Sequence, residues 1–107
     1  MLSSALVIPI FIMAIPIIDT SVVVISRIIR GVSIFQGGRD HISHRIIAQG
    51  VSRKSSAILI WSLGGFFSFL ALVINEVSNP FIEVLPIFGL LSMATLILIF
   101  LKMPILK

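Results

Sequence analysis

The sequence predicts an all-α, polytopic membrane protein: three transmembrane helices, with a short amphipathic helix in the first loop. Three observations carry this. Of 107 residues, 58% are hydrophobic and 11% charged, whereas a soluble domain carries about 25% charged residues. Three apolar stretches reach the roughly 17 to 20 residues that a helix needs to cross a bilayer. And charge is gathered rather than spread, with six of the eight basic residues falling between Arg27 and Lys54. The chain has no cysteine, so disulfides and thiolate metal sites are excluded. Its net charge of +4 comes mostly from that one segment and so points to membrane orientation, not to a nucleic-acid partner.

The first span covers about residues 4–30 and is interrupted before Ser26 only by Asp19. No cationic segment precedes it, and Pro9 and Pro16 sit inside it, which argues against a cleaved signal peptide. Pro16 has no N–H for the carbonyl of Ile12, so the span should kink or break just before Asp19. The second span, about 55–75, and the third, about 84–101, contain no charge. There is no internal repeat and no separate soluble domain; residues 1–107 form one membrane region.

The connections predict orientation. The 27–54 segment has six basic residues and one acid, Asp40, while "EVSNPFIE" has Glu76 and Glu83 and no Lys or Arg. Lys102 and Lys107 follow the third span. Cytoplasmic loops carry the Lys/Arg excess. The 27–54 loop and the C-terminus are therefore expected in the cytoplasm, and the N-terminus and the 76–83 turn outside.

Within the loop, Gly31 after Arg27 and Arg30 reads as a helix end, with cations near its negative dipole end. Gly37-Gly38 reads as a turn. Asp40 can cap a short helix running to about Gln49, with Gly50 as its stop. On that helix Ile42, Ile46 and Ile47 share one face and His41, His44 and Arg45 another, since residues three or four apart are neighbours. The His/Arg face is expected to be exposed. Ser52 can cap the second span. Arg53, beyond Gly50, reads as a topology charge.

"RDHISHR" places Arg39, His41, His44 and Arg45 within seven residues. Arginine presents a planar fork of donors that suits phosphate, and histidine can donate to phosphate or move a proton near neutral pH. The pattern suits a pyrophosphate. The plainer reading is a basic loop obeying the topology rule and touching anionic headgroups. Zinc would need three or four protein ligands, and only Asp40 lies near the two histidines. Asp19 is the second anomaly: it lies about 12 Å deeper than Arg27 on a straight helix, where a carboxylate is costly. It reads either as lining a polar cavity or as satisfied by broken backbone or a neighbouring helix, and this chain hardly offers it a partner.

"PIIDTSVVVISRIIRG" followed by "GGRDHISHRIIAQGVSRKSSAIL" resembles the C-terminal part of the bacterial polyprenyl-phosphate sugar-1-phosphate transferases (glycosyltransferase family 4). This family includes undecaprenyl-phosphate N-acetylglucosamine-1-phosphate transferase and phospho-MurNAc-pentapeptide translocase. The resemblance runs from about Pro16 to Ala57; the last two spans match only in hydrophobicity. It implies transfer of a sugar-1-phosphate, N-acetylglucosamine-1-phosphate in particular, from a UDP-sugar to undecaprenyl phosphate in cell-envelope polysaccharide synthesis. UMP is released and Mg²⁺ takes part, on the cytoplasmic face of the bacterial inner membrane. It further implies that His41 and His44 occupy the family's histidine positions, with Arg39 and Arg45 as phosphate contacts. Many members have a third histidine where this chain has Ser43, so no middle histidine acts here. Magnesium prefers oxygen ligands, and the implied Mg²⁺ ligands are not in this chain.

The family's paired-aspartate and Asn/Asp-rich motifs have no counterpart here, since Asp19 and Asp40 are the only aspartates. No residue of this chain is singled out as catalytic. The expectation is a fragment of a larger enzyme, inactive without the missing N-terminal portion. The alternative is a small non-enzymatic membrane protein, an oligomeric transporter or an accessory subunit; small multidrug transporters have a carboxylate in their first span, but four spans and short loops.

Overall fold

The computed structural model describes residues 4–76 and 83–105. Five helices follow in order: α1 (Ser4–Ile12), α2 (Ala14–Arg30), α3 (Ile42–Ile47), α4 (Arg53–Glu76) and α5 (Val84–Lys102). The fold is the all-helical, polytopic one expected. By length and composition α4 and α5 can each cross a membrane. α1 and α2 are long and apolar enough only as a pair, bent by 73°, the shape of a broken span or of a re-entrant loop.

The break falls at Met13, earlier than the position just before Asp19 that was expected, and α2 runs unbroken through Asp19. Met13 N–H still donates to Pro9 O at 3.0 Å, and Ile17 N–H to Met13 O at 3.1 Å. Pro16 stands third in α2, in the first turn, where a missing N–H costs an α-helix nothing. Ile12 therefore loses its acceptor role toward residue 16, and the helix restarts at a new angle instead of bending through.

The bend lets the two halves pack on different neighbours. α1 lies against α4, and α2 lies against α5. The shared core takes Val7 and Phe11 from α1, Ile18 and Val22 from α2, Phe67 and Ala71 from α4, and Met93 and Phe100 from α5. Phe11 is fully buried, with its ring centroid 6.0 Å from that of Phe67. Gly89 makes the approach of α5 possible, because a Cβ there would run into the Phe11 ring. The outward faces are apolar too: Trp61, Phe69 and Leu72 on α4 and Leu91 and Leu98 on α5 are exposed. A helix apolar all round suits lipid or a larger protein interior.

The second connection, with its expected turn at 76–83, lies outside the described residues except for its ends.

Candidate phosphate-binding loop

α2 ends at Gly31, whose φ of 71° is left-handed, and the N–H groups of Gly31 and Val32 close on Ile28 O and Arg27 O. The helix end expected from sequence is therefore present, with the glycine supplying a conformation that side chains disfavour. The hydrogen-bonded turn that follows runs from Ser33 to Gln36, not at Gly37-Gly38. Gly38 instead passes beside the Asp40 carboxylate, where an added Cβ would lie 3.2 Å from Asp40 Oδ1.

Asp40 does not cap α3. That helix is shorter than expected, beginning at Ile42 with His41 at its N-cap and no side-chain cap from that residue. Asp40 turns back to α2. Its Oδ2 accepts from Arg27 Nε and its Oδ1 from Arg27 Nη2, each at 2.8 Å, and Oδ2 also accepts from Arg30 Nη2 at 2.8 Å. Arg27 Nη1 donates to Ile34 O at 2.9 Å, which pins the loop between. The forked pair at Arg27 is the geometry that makes guanidinium–carboxylate contacts strong. Hydrogen bonds from Arg27 outweigh burial and hold the Asp40 carboxyl at about 2, well below its ordinary value.

The cap that Asp40 does not provide comes from Asp19. Its Oδ1 accepts the Ile42 N–H at 3.0 Å and lies 3.1 Å from His41 Nδ1. The expectation that this chain offers Asp19 hardly any polar partner is corrected. The loop folds back along α2 and brings the free N–H of α3 to the carboxylate, satisfying two polar groups at once.

Arg45 also departs from expectation. It was expected on an exposed face with His41 and His44, and it is 1% exposed. Its Nε donates to Asp40 O at 2.7 Å, and its Nη1 to Phe100 O and Met103 O at 3.1 Å each. The reason is local. Arg45 lies beside Ile42 and Ile46, the buried side of α3, and the end of α5 presents Phe100 O, which also accepts the Met103 N–H, and Met103 O just beyond the helix. Burial lowers its pKa from the ordinary arginine value.

The remaining residues meet on another side of α3. Arg39, His44, Ile47 and Arg53 line an open pocket of about 430 Å³. Arg53, read from the sequence as a topology charge, is the pocket-lining residue that reading set aside. Gly50, with φ of 93°, closes the turn that follows α3, its N–H donating to Ile47 O at 2.9 Å, and Ser52 Oγ accepts the Ser55 N–H at 3.1 Å as the cap expected for α4. Ser56 Oγ donates to Ser43 O at 3.5 Å and ties the first turn of α4 to α3. Arg53, the first residue of α4, thus comes to face His44. The signal was present in the sequence: a single residue, Val51, between Gly50 and the Ser52 cap leaves little room for the next turn to leave. Of the four residues read as phosphate contacts, Arg39 and His44 come together, His41 is held on Asp19, and Arg45 is tied to α5.

Among the described residues no group of three or more His, Asp or Glu side chains could hold a metal ion. Asp40 is occupied by two guanidiniums, and Asp19 stands with a single histidine. These residues do not fit a resident Mg²⁺.

Helices of this length and polarity define a multi-pass membrane protein, in which Arg39, His44 and Arg53 gather at one pocket. No protein-family model matches the chain, and no solved structure matches it. Over 72 residues, 67% of this chain, it is 38% identical to the probable undecaprenyl-phosphate N-acetylglucosaminyl 1-phosphate transferase of Bacillus subtilis (strain 168). The chain is thus a relative of the polyprenyl-phosphate sugar-1-phosphate transferases, and the match fits the resemblance to a C-terminal part of that family. The matched stretch spans 20% of the Bacillus protein.

Proposed function

We propose that this chain is the part of a membrane sugar-1-phosphate transferase that holds the phosphates of a UDP-sugar, UDP-N-acetylglucosamine by the nature of the relative. The acceptor is undecaprenyl phosphate. The observation that carries the reading is the convergence of Arg39, His44 and Arg53 on one pocket. Two guanidiniums and an imidazole are donors suited to the oxygens of a pyrophosphate.

In this reading an oxygen of the lipid phosphate attacks the phosphorus next to the sugar, and the bond to the UMP oxygen breaks. Negative charge grows on the leaving phosphate as that bond lengthens. Arg39 and Arg53 stabilise it there, and His44 donates a hydrogen bond to it. His41 serves differently: with Asp19 it fixes the start of α3 and so the direction in which His44 points. Mg²⁺ and the groups that bind it belong to other parts of the enzyme, and chain 1–107 alone is not expected to turn over. The pocket faces the cytoplasm, as the basic excess of the 27–54 loop implies.

Photolabelling tests the reading. In membranes containing the chain, a photoreactive UDP-N-acetylglucosamine analogue should label the 39–53 segment. Free UDP-N-acetylglucosamine should displace it and N-acetylglucosamine should not. Undiminished labelling after Arg39→Ala with His44→Ala would contradict it.

A further inference from the structure

A second pocket, of about 400 Å³, opens between the C-terminal ends of α2 and α5. Its polar wall is Ser26, Arg30 and Arg45, and its apolar wall includes Ile29, Leu101 and Met103. None of these residues lines the Arg39–His44–Arg53 pocket. Arg45 is buried and has no carboxylate partner among the described residues; its Nη2, shielded from solvent, has no hydrogen-bond partner there. A buried guanidinium with an unfilled donor is costly unless an anion meets it. The surrounding charge does not meet that need. Arg45 touches Asp40 only at its backbone carbonyl and feels the Asp40 and Asp19 carboxylates without a direct contact, and Arg27 and Arg30 already occupy the Asp40 carboxylate.

We propose that this pocket binds the phosphate of an anionic membrane phospholipid, with Arg45 and Arg30 as donors and Ile29, Leu101 and Met103 against the first part of an acyl chain. The pocket combines the two features such a ligand requires: cationic donors on one wall and an apolar wall on the other. It also sits where both spans end beside Lys102, at headgroup level. Its volume is that of a site for a headgroup and a few methylenes, not a whole lipid. The Ser26 hydroxyl accepts from Arg30 Nε at 3.2 Å and keeps its own proton to donate. A lipid held here would clamp the end of α5 against the loop through Arg45, independently of any nucleotide-sugar.

The test uses the full chain purified in non-ionic detergent. Short-chain phosphatidylglycerol, phosphatidylcholine with the same chains and inorganic phosphate are titrated separately. Retention is read by native mass spectrometry and the unfolding midpoint by circular dichroism. Phosphatidylglycerol should bind about tenfold more tightly than phosphatidylcholine. Arg30→Gln, which removes a donor, and Met103→Trp, which fills the pocket, should each abolish that preference with helix content unchanged. Lys54→Gln, which removes the same charge away from the pocket, should preserve it. Equal binding of the two lipids would overturn the proposal. So would a midpoint rise with inorganic phosphate as large as with the lipid, a preference that survives both pocket variants, or one lost equally in Lys54→Gln.

Discussion

Asp40 and Arg27 are joined by two hydrogen bonds of 2.8 Å across a separation of thirteen residues, and both side chains are buried. This pair fixes where the loop returns to α2, and so where α3 begins. Arg30 adds a third contact to the same carboxylate. Asp40→Ala leaves the Arg27 guanidinium buried without its anion and should cost about 3 to 5 kcal/mol. Loss of helical signal on denaturant titration in detergent measures it.

The pH dependence follows from the same carboxylate. The folded state holds the Asp40 carboxyl at about 2, below its ordinary value of 3.8. A depressed carboxyl contributes stability that is present above the unfolded value and lost as pH falls through the folded one. The loop should therefore weaken between about pH 4 and pH 2, by on the order of 2 kcal/mol. Asp40→Asn should remove that step from the acid unfolding curve while leaving the rest of the curve in place.

Arg45 is bound through its fork to three backbone carbonyls. Lysine has the charge but not the geometry. Arg45→Lys should therefore behave like Arg45→Met, each loosening the contact between α3 and the end of α5. Faster backbone hydrogen exchange at residues 98–103 checks this. Protection in Arg45→Lys equal to that of the parent chain would show that charge alone suffices.

These positions show how far the sequence could be read. Composition and the proline at 16 sufficed for the apolar stretches and for a break in the first, though not for its position, because both depend on local chemistry. Gly31 and Ser52 marked helix ends correctly for the same reason, while α3 stops at Ile47, short of the Gly50 stop expected. Asp40 and Arg45 were misplaced because helical spacing assigns faces only relative to one helix. Which face is buried was decided by α2 and by the carbonyls at the end of α5, which are distant in sequence. Asp19 was read as short of partners because one of them is the Ile42 backbone N–H and the other, His41, lies twenty-two residues away in sequence. Arg53 was passed over by being read one residue at a time, without the short link that turns α4 back onto α3.

Gly89 is predicted to resist any larger residue. A methyl there meets the Phe11 ring, itself fully buried. Gly89→Ala should lower stability by about 1 to 3 kcal/mol. Phe11→Leu should recover part of that loss in the double variant, since the two groups compete for one space; additive losses in the double-mutant cycle would exclude the competition.

Orientation has its own test. Cysteine at Ser33, in the exposed basic loop, should be protected from an impermeant thiol reagent in intact cells. Cysteine at Glu83, at the start of α5, should be labelled. The reverse pattern would invert the orientation and move the pocket to the wrong side of the membrane.

The most direct measurement is transfer by an active chimera in which residues 16–107 replace the matching part of the Bacillus relative. With each variant at normal membrane levels, Arg39→Ala, His44→Ala and Arg53→Ala should each reduce release of UMP by on the order of tenfold to a thousandfold. Lys54→Ala, the neighbouring cation that does not line the pocket, should stay within about threefold of the parent chimera. Arg53→Ala and Lys54→Ala behaving alike, whether both silent or both damaging, would contradict the pocket of Arg39, His44 and Arg53 as the site that holds the transferring phosphate.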